Sequence, residues 1–171
     1  MGKIKVYVVA RIAREVHAWT DTVCGPLESD NSFDVFKPKN FNPWWLPPSQ
    51  IPGAVVEMDV SKIVQSHIGL VLPEYGHDCA WETGHYMGSG KPLVVFVDHQ
   101  LHWLNEHGWL VWVLNERGFK AGSVVTCNPT TYGILKSEPR LASAELRLLT
   151  DLEGLPQYMK EVYRSSYEKA G

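Results

Sequence analysis

Residues Met58 to Val97 read MDVSKIVQSHIGLVLPEYGHDCAWETGHYMGSGKPLVVFV. Val56, Val60, Ile63 and Val64 recur at helical spacing and predict a helix from Val55 to Gln65. Ile68 to Leu72 is a short apolar run of the kind buried on both faces of a sheet. Cys79 to Gly88 reads as a short helix, stopped by Gly88-Ser89-Gly90. Pro92 to Val97 is a second buried strand. Helix, strand, helix, strand within forty residues is the signature of a parallel sheet with crossover helices.

The same alternation extends outward. Ile4 to Ala10 (IKVYVVA) is β-branched and dense enough for a central strand, and Ile12, Val16, Trp19 and Val23 follow at helical spacing, ending near Gly25-Pro26. Phe33 to Phe36 is a short second strand and Ser123 to Cys127 a fifth. Trp103 to Arg117 reads as a helix, with Trp109 to Val113 apolar enough for a strand. Leu146 to Lys169 reads as one or two closing helices broken near Gly154-Pro156. The fold expected is α/β: one domain over 1–171, with an open, mainly parallel five-stranded sheet and helices on both faces, flavodoxin- or Rossmann-like. Residues 37–53 (KPKNFNPWWLPPSQIPG) interrupt it. Five prolines and a glycine there argue against a helix or a central strand. The stretch reads either as a Trp-anchored cover over the core or as a lid that stacks on a planar base.

Composition narrows the function. The chain has 171 residues, 44% hydrophobic and 20% charged, with a net charge of −3. A chain of this size buries enough surface to need no staple. No basic stripe is present, so a nucleic-acid polymer is not expected as a partner. No run approaches the ~20 apolar residues of a membrane span. Three cysteines with no CxxC pair fit a reducing, cytoplasmic setting. The N-terminus lacks a signal-peptide pattern, and Val6 stands where N-myristoylation expects Ser or Thr.

Two apparent motifs dissolve on inspection. Met87 to Pro92 (MGSGKP) looks like a phosphate loop, but His85 stands where its first Gly belongs and Pro92 where Ser or Thr belongs. It reads as a helix stop and turn. His99, His102 and His107 lack the i, i+4 pairing of a helical metal site, so no metal or other cofactor is expected.

In open parallel sheets, ligands bind beyond the carboxyl ends of the strands. Glu82 falls just past one such end, near the start of a helix, where the helix dipole favours a charged carboxylate. It is therefore a candidate nucleophile or base. The competing structural reading is a cap, with Asp78 as N-cap and Glu82 a few positions in.

Glu82-Thr83-Gly84, followed eight residues after the Glu by Gly90-Lys91-Pro92, resembles the core of the nucleoside 2-deoxyribosyltransferases. The likeness covers roughly 3–10 and 55–98. It implies Glu82 as nucleophile, Asp59 on the preceding helix as the family's upstream acid, with Asp59 or Asp78 handling a proton on the leaving base, and Tyr7 in the first strand as the residue that orients Glu82. The candidate substrate-binding residues are Asp78, Arg11, Trp45, Gly84 and Asn128. Asn128 corresponds to an asparagine that some members contribute across a subunit interface. The sequence departs from the family at position 76, Gly in place of Asp, and at position 67, His in place of Asp. The resemblance implies cleavage or transfer of an N-glycosidic bond in a nucleoside or nucleotide, through a covalent glycosyl-enzyme, in a homo-oligomer. Two other readings stand beside it. One is a nucleotide-binding sensor without turnover. The other is an NAD-cleaving domain of the Toll/interleukin-1 receptor type, which Cys79-Ala80-Trp81-Glu82 resembles.

Overall fold

The computed structural model describes residues 2–73, 76–98, 104, 110 and 124–167. In chain order the elements are β1 (Ile4–Val9), α1 (Arg14–Ser29), β2 (Phe33–Phe36), α2 (Ile51–Gln65), β3 (Ile68–Val71), α3 (His77–Ser89), β4 (Leu93–Phe96), β5 (Val124–Thr126), α4 (Pro129–Ser137), β6 (Leu146–Leu148) and α5 (Leu155–Tyr167). The strands form one six-stranded sheet, order β2-β1-β3-β4-β5-β6, with every pairing parallel. Tyr7 lies in register with Phe36 on one side and Gly69 on the other.

Strand alternation sorts the core into two layers. Val6 and Val8 face α1 and α5, packing with Val23, Cys24, Leu27, Met159 and Val162. Tyr7 and Val9 face the other way, with Ile63 of α2, Cys79 and Tyr86 of α3, and Leu135 of α4. Burial on both faces explains why β3 and β4 read as continuous apolar runs and β1 as one broken only by the exposed Lys5.

Four expectations need correction. The sheet has six strands, because Leu146–Leu148, expected to be helical, pairs in parallel with β5. Three residues at a sheet edge are too short for a period-2 pattern to stand out from helical spacing. α1 runs past Gly25-Pro26 to Ser29, with Pro26 inside it. The hydrogen bond that proline forfeits is offset by what the last turn anchors: Leu27 is fully buried, and Glu28 holds the buried Lys37 ammonium at 2.7 Å. α2 begins at Ile51, within the stretch expected to be irregular. Pro52 sits in its first turn, where the missing N–H would have had no partner. Finally, the tryptophans of that stretch do not anchor a cover: Trp44 and Trp45 are 77% and 62% exposed.

The element expected at Trp103–Arg117 lies outside the described residues apart from Leu104 and Leu110, both buried; His99, His102 and His107 lie outside them too. Among the described residues no helix is long and apolar enough to cross a membrane.

Candidate active site

The sheet order reverses direction between β1 and β3: the chain builds β2 on one side of β1 and β3 onward on the other. That is the switch point where parallel sheets open a crevice at their carboxyl ends. α2 and α3 cross the same sheet face beside it and bring three acidic or phenolic side chains together.

Glu82 lies on the stripe of α3 that also carries Cys79 and Tyr86, three residues before and four after, and all three are buried against the sheet. A carboxylic acid thus occupies a core position, with only 3% of Glu82 exposed. Its partner is Tyr7, whose hydroxyl donates to Glu82 Oε1 at 2.5 Å. Tyr7 itself is wholly buried, stacked on Phe36 at 5.7 Å between ring centres. Asp59, half-buried on α2, is the second carboxyl that interacts with the Tyr7 hydroxyl. Asp59 lies one turn before Ile63, so the residue that buries α2 against the sheet also fixes the acid's direction.

The electrostatics follow from crowding acids in a dry place. Burial, with repulsion from Asp59 and Asp78, pushes the Glu82 carboxyl up to about 8, against the opposing pull of the Tyr7 hydrogen bond. Burial raises Asp59 as well, and Asp78 adds to it. Burial next to Glu82 and Asp59 keeps the Tyr7 phenol protonated. The expectation of a carboxylate held charged by the helix dipole is corrected here. α3 starts at His77, so Glu82 is its sixth residue, in the second turn and beyond the reach of the dipole. Burial decides instead. The capping alternative fails for the same reason. Gly76 is the N-cap and Asp78 the second helical residue, its carboxylate accepting from the Cys79 N–H at 3.1 Å.

The structure brings Tyr7, Asp59 and Glu82 together, with exposed Asp78 close enough to act through its charge. It does not bring the other four to them. Arg11 follows β1 in the open and lies 4.0 Å from Glu15, a solvated pair of little worth. Trp45 packs edge-on against Phe41 and Trp44. Gly84 is exposed, two residues and so just over half a turn from Glu82, on the opposite side of the helix. Asn128 caps α4, its side-chain oxygen accepting from the Thr130 and Thr131 N–H groups at 2.9 and 3.2 Å. Trp81 lies 44% exposed against His85.

Sequence reasoning missed the support behind Glu82. Tyr86 is buried one turn on, and its hydroxyl meets the Ser66 hydroxyl at 2.5 Å. Ser66 spends its own proton on the Ile63 carbonyl at 2.8 Å, so Tyr86 is the donor. Gly69 makes room for this ring: a Cβ there would stand 2.5 Å from Leu93 Cδ2 and 3.0 Å from Tyr86 Cζ. The signal was available in the helical spacing of Glu82 and Tyr86. Gly90-Lys91-Pro92 also proves structural. Gly90 takes the left-handed conformation (φ 68°) that ends α3. The Lys91 ammonium caps α2, donating to the Ile63 and Val64 carbonyls at 2.9 and 2.6 Å. One turn therefore ties together the ends of the two helices that carry Asp59 and Glu82.

The fold, without regard to the site, recurs in a solved structure. The chain shares its fold with a conserved protein from Enterococcus faecalis V583. The TM-score is 0.53, at 15% identity over 94% of this chain and 99% of that one. A CMP N-glycosidase from Clostridium botulinum aligns at a TM-score of 0.46 and 13% identity, over 92% of this chain and 98% of that one. No family model and no curated protein sequence matches the chain.

Proposed function

We propose that this protein cleaves or transfers the N-glycosidic bond of a nucleoside or nucleotide, with Glu82 as nucleophile. The observation that carries the reading is the Tyr7–Glu82 hydrogen bond at the switch point, with Asp59 near enough to act on Glu82 through its charge. A buried acid whose ionisation is strongly displaced, held by a positioned donor at a ligand-binding edge, marks a functional site more often than a structural one. The likeness of Glu82-Thr83-Gly84 and Gly90-Lys91-Pro92 to the deoxyribosyltransferase core supports the same role.

In the first step a Glu82 carboxylate oxygen forms a bond to the anomeric carbon as the carbon–nitrogen bond to the base breaks. Positive charge developing on the sugar favours the ionised form of Glu82. The proton that Glu82 holds at rest passes to Asp59, the neighbouring carboxyl of the cluster. Asp59 delivers it to the departing base nitrogen. In the second step water or an acceptor base attacks the same carbon from the face the base left and gives up a proton to Asp59, breaking the Glu82–carbon bond, returning the pair of acids to its singly protonated resting state and retaining configuration.

The test is a panel of nucleosides and nucleoside monophosphates incubated with and without a free acceptor base, the products being separated by chromatography. Released or exchanged base that disappears in Glu82→Ala supports the proposal. Full turnover in that variant removes Glu82 from the chemistry.

One observation favours a second reading. Glu82 is 3% exposed and retains its proton at neutral pH, which suits a nucleotide-binding module that does not turn over. A ligand that raises the melting temperature while releasing no base over hours would favour that module.

A further inference from the structure

The sheet has a second end, opposite the acidic cluster. There, Lys3 at the approach to β1, Ser32 ahead of β2, His67 ahead of β3, and Lys160, Tyr163 and Arg164 of α5 surround a cavity of about 560 Å³. This lies within the ~300–1,000 Å³ of small-molecule sites.

Its charge runs against that of the chain. The whole protein carries −3, yet three cations line this cavity. Lys160 is matched by Asp30 at 2.7 Å. Lys3 and Arg164 have no ion pair among the described residues, which leaves a surplus of positive charge. Arg164, in the last turn of α5, also answers that helix's dipole. Lys3 belongs to no helix, so the dipole does not account for it.

The uncharged part of the wall is ordered and aromatic. His67 Nδ1 accepts the Lys5 N–H at 2.9 Å, which places the ring proton on Nε2 as a donor. The Tyr163 ring packs edge-on against His67 at 5.2 Å, and the Tyr167 hydroxyl donates to the His67 carbonyl at 2.8 Å. A guanidinium and two ammonium groups around an imidazole donor suit a phosphate, and the Tyr163–His67 pair gives a ring something to lie against.

We infer that this cleft binds a small organic phosphate, a phosphorylated sugar or nucleotide, at a site separate from the Glu82 cluster. The inference stands on Lys3, Lys160, Arg164 and the cavity, independently of what Glu82 does.

Calorimetric titration with ribose 5-phosphate, CMP and inorganic phosphate tests it. The titrations use the full chain, Glu82→Gln, and the double variant Lys3→Glu with Arg164→Glu. Both reversed residues are exposed, and circular dichroism checks that the fold is kept; single alanine variants replace the pair if it is not. The component of binding that the double variant removes is expected to be the same in the parent and in Glu82→Gln, whatever CMP the Glu82 site also takes. The double variant is expected to weaken the organic phosphates about tenfold or more, the worth of a lost charge-assisted contact. Binding insensitive to the double variant, binding lost in Glu82→Gln, or no binding at millimolar ligand would overturn the inference. So would inorganic phosphate binding as tightly as CMP and ribose 5-phosphate, since the aromatic wall would then contribute nothing.

Discussion

The Tyr7 hydroxyl lies 2.5 Å from Glu82 Oε1 in a place neither side chain shares with solvent. Tyr7 comes from the middle of a central strand and Glu82 from the second turn of a helix that begins seventy residues later. Their meeting sets the protonation of the site. The phenol stabilises the ionised carboxylate, while burial and two neighbouring acids oppose it.

Removing that donor has a definite sign. Tyr7→Phe leaves a buried acid without its partner, a loss of ~1–3 kcal/mol in stability by chemical denaturation. It also takes away the interaction that lowers the Glu82 ionisation point. Base release in Tyr7→Phe is expected to fall about 10–100-fold, and its pH profile to move to higher pH. An unshifted profile would separate Tyr7 from the titration of Glu82.

The parent profile follows from the same group. The proton that Glu82 holds at rest is the one delivered to the departing base, so kcat/KM is expected to fall as pH rises through about 8 and that proton is lost. The inflection belongs to the coupled acids rather than to one of them. Measuring base release from pH 5 to pH 9.5 at low substrate checks it. A rate that stays flat up to pH 9.5 would mean that the proton of this carboxyl is not required.

Stability is expected to run the other way. Folded Glu82 holds its proton up to about 8, whereas the unfolded chain releases it near the ordinary 4.5. The contribution is therefore complete below 4.5 and is lost as pH climbs through about 8, an effect on the order of a few kcal/mol. Glu82→Gln does not titrate. The stability difference between variant and parent should shift in the variant's favour across that interval, as read by urea denaturation at several pH values.

The packing behind the acid is testable separately. Gly69→Ala puts a methyl 2.5 Å from Leu93 Cδ2 and against the Tyr86 ring. Overpacking of this kind costs ~1–3 kcal/mol. Lys91→Met removes two bonds to the end of α2, with a cost of ~1–2 kcal/mol. Both losses are expected in thermal or denaturant melts. An unchanged melting temperature in Lys91→Met would show that the α2 cap contributes nothing.

How much of this could be read from the chain depends on how locally each feature is encoded. β3 and β4 are apolar without interruption, and β1 is broken only by the exposed Lys5, because both faces of these strands are covered, and such runs announce themselves. β6 is three residues at an edge and carries no pattern of its own. Pro26 and Pro52 misled because a proline's effect depends on what its turn anchors and where in the turn it falls, which is tertiary information for the first. Tyr7, Asp59 and Glu82 were named from motif likeness, and their proximity is a finding of the fold. The burial of Glu82 was written in its spacing with Cys79 and Tyr86, but an acid on an apolar stripe is easily misread as a helix-end residue. The exposure of Trp44, Trp45 and Trp81 was not legible, since a tryptophan's composition cue is the same inside and out.

The most direct measurement is the mass of the intact protein after a brief incubation with the nucleoside or nucleotide that loses base fastest, quenched in acid, followed by peptide mapping. A covalent glycosyl-enzyme predicts an added mass equal to the sugar, or sugar phosphate, less water, located on Glu82. The adduct should be absent from Glu82→Gln, which keeps the parent's far-ultraviolet spectrum. The account would be contradicted by base release at the parent's rate in folded Glu82→Ala, or by an adduct mapped to any other residue.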